Sequence, residues 1–246
     1  MDKLVYVAMT GAKETLRAQA SNSHNLANAS TTGFRADLTA FMTRAVTGPG
    51  FDSRAYATTS TVGWNSTEGA VISTGRDLDV AINGPGWIAV QAPDGSEAYT
   101  RAGDLRMDST GQLRNGAGHA VLGDSGPLLV PPSSSMLIGV DGSVSVVPQG
   151  QGPETAATIG RIKLVNPPSE QLERSTDGLF RMKTGGEAAA DAAVGLVPGA
   201  LEGSNVNTAD AMVTMIELAR RFDLQVRMMR NAEENARSAM SLLRMS

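Results

Sequence analysis

Residues 204–246 read SNVNTADAMVTMIELARRFDLQVRMMRNAEENARSAMSLLRMS, a stretch with no glycine and no proline. Apolar residues recur there at alternating three- and four-residue steps: Met212, Met215, Ala219, Phe222, Val226, Met229, Ala236, Met240 and Leu243. Glu233 is the one polar residue in the series. This is the a/d seam of a coiled coil sustained over five heptads. At 1.5 Å per residue, the roughly 37 residues after Asn207 make a rod on the order of 55 Å long. A sheet face of about 20 Å covers only part of such a rod, so its seam needs other helices. Burying the seam is worth on the order of 10 kcal/mol, comparable to the stability of a whole domain. Asn207 suits the N-cap, with Asp210 in the favourable first turn. Glu217 with Arg221, Asp223 with Arg227 and Glu233 with Arg237 read as a solvated outer face.

The other end of the chain predicts a second helix over residues 1–32, interrupted by Gly11. Met1, Val5, Ala8, Ala12 and Leu16 recur at helical spacing, and Leu26 and Ala27 extend the stripe. The pattern stops in Asn28-Ala29-Ser30-Thr31-Thr32-Gly33, residues that compete for backbone hydrogen bonds or adopt positive φ. A short helical piece over 38–46 completes an N-terminal helical segment, residues 1–46.

Residues 47–76 are rich in Gly, Ser and Thr and read as an extended connector. From 77 to 182 the period becomes two. Leu78, Val80 and Ile82 share one strand face, Asn83-Gly84-Pro85-Gly86 predicts a hairpin turn, and Trp87-Ile88-Ala89-Val90 returns. Pro93-Asp94-Gly95-Ser96, Asn115-Gly116, Asp141-Gly142 and Asp177-Gly178 punctuate further strands, including 143–147 and 160–165. Residues 183–203 read as a Gly/Ala-rich return connector, and 204–246 as the terminal helix. The expected fold class is α+β: long N- and C-terminal helices pairing as a coiled coil, with a central antiparallel β module.

Composition narrows the function. Of 246 residues 41% are hydrophobic but only 4% aromatic, which disfavours a large enzyme-like core. The formal net charge of −4 is scattered, with no basic stripe, so a nucleic-acid partner is not expected. The absence of cysteine removes disulfides, thiolate chemistry and zinc-thiolate sites. No apolar run approaches the ~18–20 residues of a membrane span. The apolar run Leu4-Val5-Tyr6-Val7-Ala8-Met9 is shorter than the ~7–15-residue core of a cleaved secretory signal. The chain is therefore expected to be cytoplasmic or to leave by a route without signal cleavage.

Chemistry-bearing residues are sparse. His24 and His119 stand far apart, without carboxylates at ligand spacing, and read as surface or capping residues. No G-x-S-x-G joins a strand to a helix. Asp77 and Asp79 are expected to share a solvent face, and Asp104 and Asp108 are poor candidates for an acid/base pair. Gly84-Pro85-Gly86 lacks the strand–helix setting of a nucleotide loop. No catalytic, cofactor-binding or metal-ligating residue is expected.

Three segments carry a resemblance. Asn25-Leu26-Ala27-Asn28-Ala29-Ser30-Thr31-Thr32-Gly33-Phe34-Arg35 ends a helix on N-L-A-N followed by T-x-G-F-[KR]. Leu78-Asp79-Val80-Ala81-Ile82, Tyr99-Thr100-Arg101-Ala102-Gly103 and Gly111-Gln112-Leu113 form a central signature. Leu201-Glu202-Gly203-Ser204-Asn205-Val206-Asn207 leads into Arg220-Arg221-Phe222. In these the chain resembles the rod and hook proteins of the bacterial flagellum. The short chain, its Met1-Asp2-Lys3 start and Trp87-Ile88 favour the proximal-rod branch over the distal rod.

The resemblance implies a structural subunit of the basal-body rod that polymerises helically into a torque-transmitting shaft. It implies a periplasmic location, export through the flagellar type III apparatus without signal cleavage, and partners among copies of itself and sibling proximal and distal rod subunits. Its assembly interface would comprise Val5, Ala8, Ala12, Leu16, Met212, Met215, Ala219, Phe222, Val226, Met229, Ala236, Met240 and Leu243. Asn25, Leu26, Ala27, Asn28, Thr31, Gly33, Phe34, Arg35, Ser204, Asn205 and Asn207 would form the hinge between inner helices and outer domain. The competing reading is a coiled-coil β-domain binding module on the surface or in the periplasm; a periplasmic hydrolase using Asp104 or Asp108 is a third.

Overall fold

A computed structural model of the chain describes residues 3–45 and 55–244. The chain is α+β and divides into two compact units, crossing between them four times. The first unit comprises residues 1–29, 36–65 and 206–246; the second comprises 30–35 and 66–205.

The first unit contains helix α1 (Lys3–Ala27), strands β1 (Asp37–Ala45) and β2 (Ala55–Trp64), and helix α2 (Thr208–Arg244). Asn207 caps α2, its Oδ1 accepting the N–H groups of Ala209 at 3.0 Å and Asp210 at 3.4 Å. The two helices run antiparallel. Asn22 Nδ2 donates to the Ala211 carbonyl at 2.7 Å, Gly11 and Thr15 meet Gln225, and Val5 shares a groove with Val226, Met229 and Ala236. Helix α1 passes unbroken through Gly11, contrary to the expected interruption.

Residues 38–46 were expected to be helical, yet 37–45 form β1, paired antiparallel with β2 so that Phe41 stands opposite Thr59. Leu38, Phe41 and Met42 imitate a helical stripe, but Thr39 and Thr43 face a Thr-rich partner whose β-branched residues favour extended backbone. The connector expected over 47–76 therefore holds paired strands on its described part. Val46 and residues 47–54 lie outside the described residues, as does Met1.

The second unit is a β module in which every described pairing is antiparallel. It opens with β3 (Val71–Ser73), β4 (Val80–Asn83), β5 (Trp87–Gln91), β6 (Glu97–Thr100), β7 (Leu105–Met107), β8 (Leu113–Asn115) and β9 (Ala120–Gly123). Strand β5 is central, flanked by β6 and β9, and a separate three-stranded sheet comprises Ser133–Ile138, Ser143–Pro148 and Ala157–Arg161. Val80, Ile88, Val90, Leu113, Val121 and Val144 are fully sealed in its core.

Two expectations fail here. Asn83-Gly84-Pro85-Gly86 is no hairpin, because β4 pairs with Gly195–Pro198 while β5 pairs with β6, β9 and Leu164–Val165. The segment 183–203 is more than a connector: Gly195–Pro198 and Ala200–Glu202 complete the unit by pairing with β4 and β3. A strand buried on both faces reads as a continuous apolar run, so Val80-Ala81-Ile82 carries no mark of which neighbour it takes.

Candidate assembly site

The signature segments converge inside the second unit. Arg35 and Glu202 are each 1% exposed, with Arg35 Nη1 2.7 Å from Glu202 Oε1. Arg101 Nη1 lies 3.3 Å from both Glu202 oxygens, and the Gly69 N–H donates to Oε1 at 2.8 Å. One carboxylate thus stands between two buried guanidinium groups drawn from the N-terminal and central signatures. Arg101 also reaches the turn before β5, its Nε donating to the Gly86 carbonyl at 3.1 Å and its Nη2 to that of Gly84. Burial pulls the Arg101 guanidinium below its ordinary pKa; Glu202 opposes this and Arg35 adds to it.

Gly33 explains the rest of the T-x-G-F-R motif. Its φ is +67°, and a Cβ there would stand 2.3 Å from the Arg101 carbonyl carbon. Its N–H donates to the Glu202 carbonyl at 2.8 Å. Phe34 lies under the Arg174 guanidinium at 4.4 Å, while Arg174 Nη1 donates to the Arg35 carbonyl at 2.8 Å. Arg174 also faces Phe180, which packs on Trp87 with ring centroids 4.5 Å apart, and Arg101 closes over Trp87 at 5.9 Å. From Phe34 the series runs through Arg174 to the Phe180–Trp87 ring pair and ends on Arg101. Asn205 ties the far side, donating from its backbone to the Phe34 carbonyl at 3.2 Å and from Nδ2 to Thr67.

The Asn25 end of the same motif belongs to the first unit. Asn25 Nδ2 donates to the Asp37 carbonyl at 2.9 Å and its Oδ1 accepts the Asp37 N–H at 2.8 Å, a reciprocal clamp on the start of β1. His24 Nδ1 lies 3.0 Å from Asp37 Oδ2, and Asn28 Nδ2 donates to the His24 carbonyl at 2.9 Å. Leu26 is half-buried, Ala27 is exposed, and the Thr31 carbonyl accepts from Phe34. Half-buried Ser204 lies beside Asn205 in the second unit, while Asn207 caps α2.

Along α2 the residues turned inward are Ala211, Met215, Leu218, Phe222, Gln225, Met229, Ala232 and Ala236, spaced four, three, four, three. Val226 is half-buried beside them. Of the expected interface residues, Met215, Phe222, Val226, Met229 and Ala236 lie on or beside this inward face, whereas Met212, Ala219 and Met240 are exposed. The Leu243 side chain lies outside the described residues. On α1, Ala8 and Ala12 are buried and Val5 is half-buried, while Leu16 is exposed and Thr15 takes the inward place. Glu233 pairs along its own helix with Arg237 at 2.6 Å.

Opposite the inward face, α2 exposes Met212 (55%), Val213 (57%), Ile216 (57%) and Leu224 (59%). Helix α1 exposes Tyr6, Met9 and Leu16 along one stripe. These outer apolar positions were only partly visible from the seam pattern, which assigns each helix a single stripe.

The carboxylates hold turns. Asp108 Oδ1 accepts from the Thr110 N–H and hydroxyl and the Gln112 N–H, and its Oδ2 pairs with Arg114 Nε at 2.8 Å. The Thr110 hydroxyl, followed by Arg114, holds the Asp108 carboxyl far below the usual carboxylate range, the opposite of what a general acid needs. Asp104 lies 4.0 Å from Arg106. Asp77 is exposed, but Asp79 is buried, contrary to the expected shared solvent face. A turn at 77–78 resets the alternation, and Asp79 accepts from Thr74 Oγ1 at 2.7 Å beside Arg76. Among the described residues no cluster of His, Asp and Glu is placed to hold a metal ion.

A family model described as "Flagellar hook protein FlgE/F/G D1 domain" matches residues 81–146. One described as "Flagellar basal body rod FlgEFG protein C-terminal" matches residues 197–242. The chain is 44% identical over 252 residues to the flagellar basal-body rod protein FlgF of Salmonella typhimurium, covering 100% of both chains. It belongs to the flagellar basal-body rod protein family. Identity to FlgF of Escherichia coli is 43% over 252 residues, again covering all of both chains. Identity to the rod protein FlgG of Bacillus subtilis is 30% over 267 residues, covering 99% of this chain and 100% of the other. As a rod protein the chain is a structural subunit, and the relatives are structural proteins rather than enzymes. Among the described residues no helix is long and apolar enough to cross a membrane.

Proposed function

We propose that this rod protein polymerises helically into the proximal drive shaft, with α1 and α2 forming coiled-coil layers of an inner tube and the β unit outside. Its neighbours are copies of itself and sibling proximal and distal rod subunits in the periplasm. It reaches them through the flagellar type III export apparatus without a cleaved signal. The observation that carries this reading is the second apolar face of α2. Among its charged residues α2 exposes Met212, Val213, Ile216 and Leu224, an apolar patch of the kind that marks an interaction surface, and α1 covers only the inward side.

Met212, Ile216, Ala219 and Met240 on α2 and Leu16 on α1 supply the outer contacts, while Val5, Ala8, Ala12, Met215, Phe222, Val226, Met229 and Ala236 hold the inner pair. Leu243 extends the seam. Contacts between unlike faces stack without closing, which yields an open helical polymer. Twisting such a tube strips apolar contacts along every neighbour, so torque passes from subunit to subunit. The segment from Asn25 to Arg35, with Ser204, Asn205 and Asn207, is the joint between helices and β unit.

The double substitution M212D/I216D tests the reading, because both side chains point away from α1. Expected is loss of rod incorporation and motility, with the thermal unfolding of the β unit unchanged. Normal incorporation of the doubly charged chain would refute it.

A further inference from the structure

We infer that Gln225, seated against Gly11 and Thr15, selects which helix α2 accepts and at which register. Of the inward residues of α2, Ala211, Met215, Leu218, Phe222, Met229, Ala232 and Ala236 are apolar; Gln225 alone is polar. The facing stretch of α1 is built from Val5, Ala8 and Ala12. Small apolar layers of this kind are nearly interchangeable when one helix slides past the other by a heptad. The Gln225 layer breaks that equivalence in mid-helix, as the Asn22 bond to the Ala211 carbonyl does at the end of the pair.

Thr15 Oγ1 lies 2.9 Å from the Gly11 carbonyl and 3.1 Å from Gln225 Oε1, sharing one O–H between two acceptors. A Cβ on Gly11 would stand 2.9 Å from Gln225 Nε2, so the amide occupies the space that glycine leaves open. Gly11 is the one glycine of α1. Thr15 is almost fully buried. Sliding by a heptad removes both features at once: the amide meets a side chain where Gly11 was, and loses its hydroxyl partner. Gln225 is half-buried, and an amide held partly out of water without a partner is penalised more than a mispaired apolar layer. A single polar position between helices is the recognised way of specifying register. The partner that Gln225 recognises is thus a helix presenting Gly-x-x-x-Thr on its inward face. This concerns pairing within one chain and holds whether or not the rod is built as proposed above.

The chain has no cysteine, so nitroxide labels go only where cysteines are introduced. With K13C and R227C, both exposed positions on different helices, double electron–electron resonance on the full chain reports the register. The parent is expected to give one narrow distance. Gln225→Leu is expected to add a second, longer-distance population, one helix having slid along the other by about 10 Å, the axial length of one heptad, with helix content by circular dichroism unchanged. Thr15→Val, which keeps the shape and removes the hydroxyl, is expected to do the same to a smaller extent, and it decides the matter if Gln225→Leu loses helix. A single parental distance in both variants overturns the inference, as does the lack of a defined distance in the parent.

Discussion

Arg35 and Glu202, far apart in sequence, meet at 2.7 Å in a site closed to solvent, and Arg101 approaches the same carboxylate from the other side. A motif at one end of the β module is thereby held by a motif at the other.

The carboxylate should be worth more than either arginine as a group to remove. Glu202→Gln leaves two buried guanidinium groups facing each other, and deleting one partner of a buried ion pair costs about 3–5 kcal/mol. Urea unfolding followed by Trp fluorescence should show that loss. The triple variant R35M/R101M/E202L should be distinctly more stable than Glu202→Gln, because an apolar replacement leaves no unpaired charge.

Gly33 combines a left-handed backbone with a blocked Cβ, whereas Gly178 (φ +82°) has nothing within 4 Å of its Cβ position. Gly178→Ala should cost about 1–2 kcal/mol, the strain of the left-handed region alone. Gly33→Ala should cost clearly more, because the Arg101 carbonyl must also move. Equal urea midpoints for the two variants would contradict this.

Removing the Asn207 side chain exposes the first amides of α2. Asn207→Ala should cost about 1 kcal/mol and Asn207→Gly only a few tenths, since glycine is tolerated at an N-cap. Thermal melts of the helical signal in the far ultraviolet will separate them.

Tyr99 sets the alkaline limit. Its hydroxyl donates to Glu97 Oε1 at 2.9 Å and accepts the Ala188 N–H at 2.6 Å. Burial first, with Glu97 adding to it, pushes the phenol well above its ordinary value of about 10. The folded state therefore holds the phenolic proton more tightly than the unfolded state. Its contribution is complete below pH ~10 and is lost as pH rises beyond that, through the unfolded and then the folded pKa. Urea midpoints between pH 8 and 12 should fall in the parent chain and fall less steeply in Tyr99→Phe.

The helices, the cap at Asn207, and turns such as Asp94-Gly95 and Asp141-Gly142 were legible because each rests on local chemistry. The phase of α2 was legible only in part. Met215, Phe222, Met229 and Ala236 are inward at heptad spacing, but the steps between them fall on Ala211, Leu218 and Ala232 rather than Met212, Ala219 and Glu233. With Ala211 beside Met212 and Leu218 beside Ala219, hydrophobicity cannot set the phase of a helix that is apolar on two sides. Strand β1 was hidden because Leu38, Phe41 and Met42 fit a helical period as well as an extended one, and pairing with β2 decided the matter. The Arg35–Glu202–Arg101 cluster left no local trace. Its members stood in three quoted motifs, yet nothing in the spacing of any one of them points to the others.

Because Glu202 stands so late in the chain, any fragment that stops short of it holds Arg35 and Arg101 without the carboxylate that stands between them. The β unit thus depends on its own last strand: without Glu202 two buried guanidinium groups face each other uncompensated, at the cost of a broken buried ion pair.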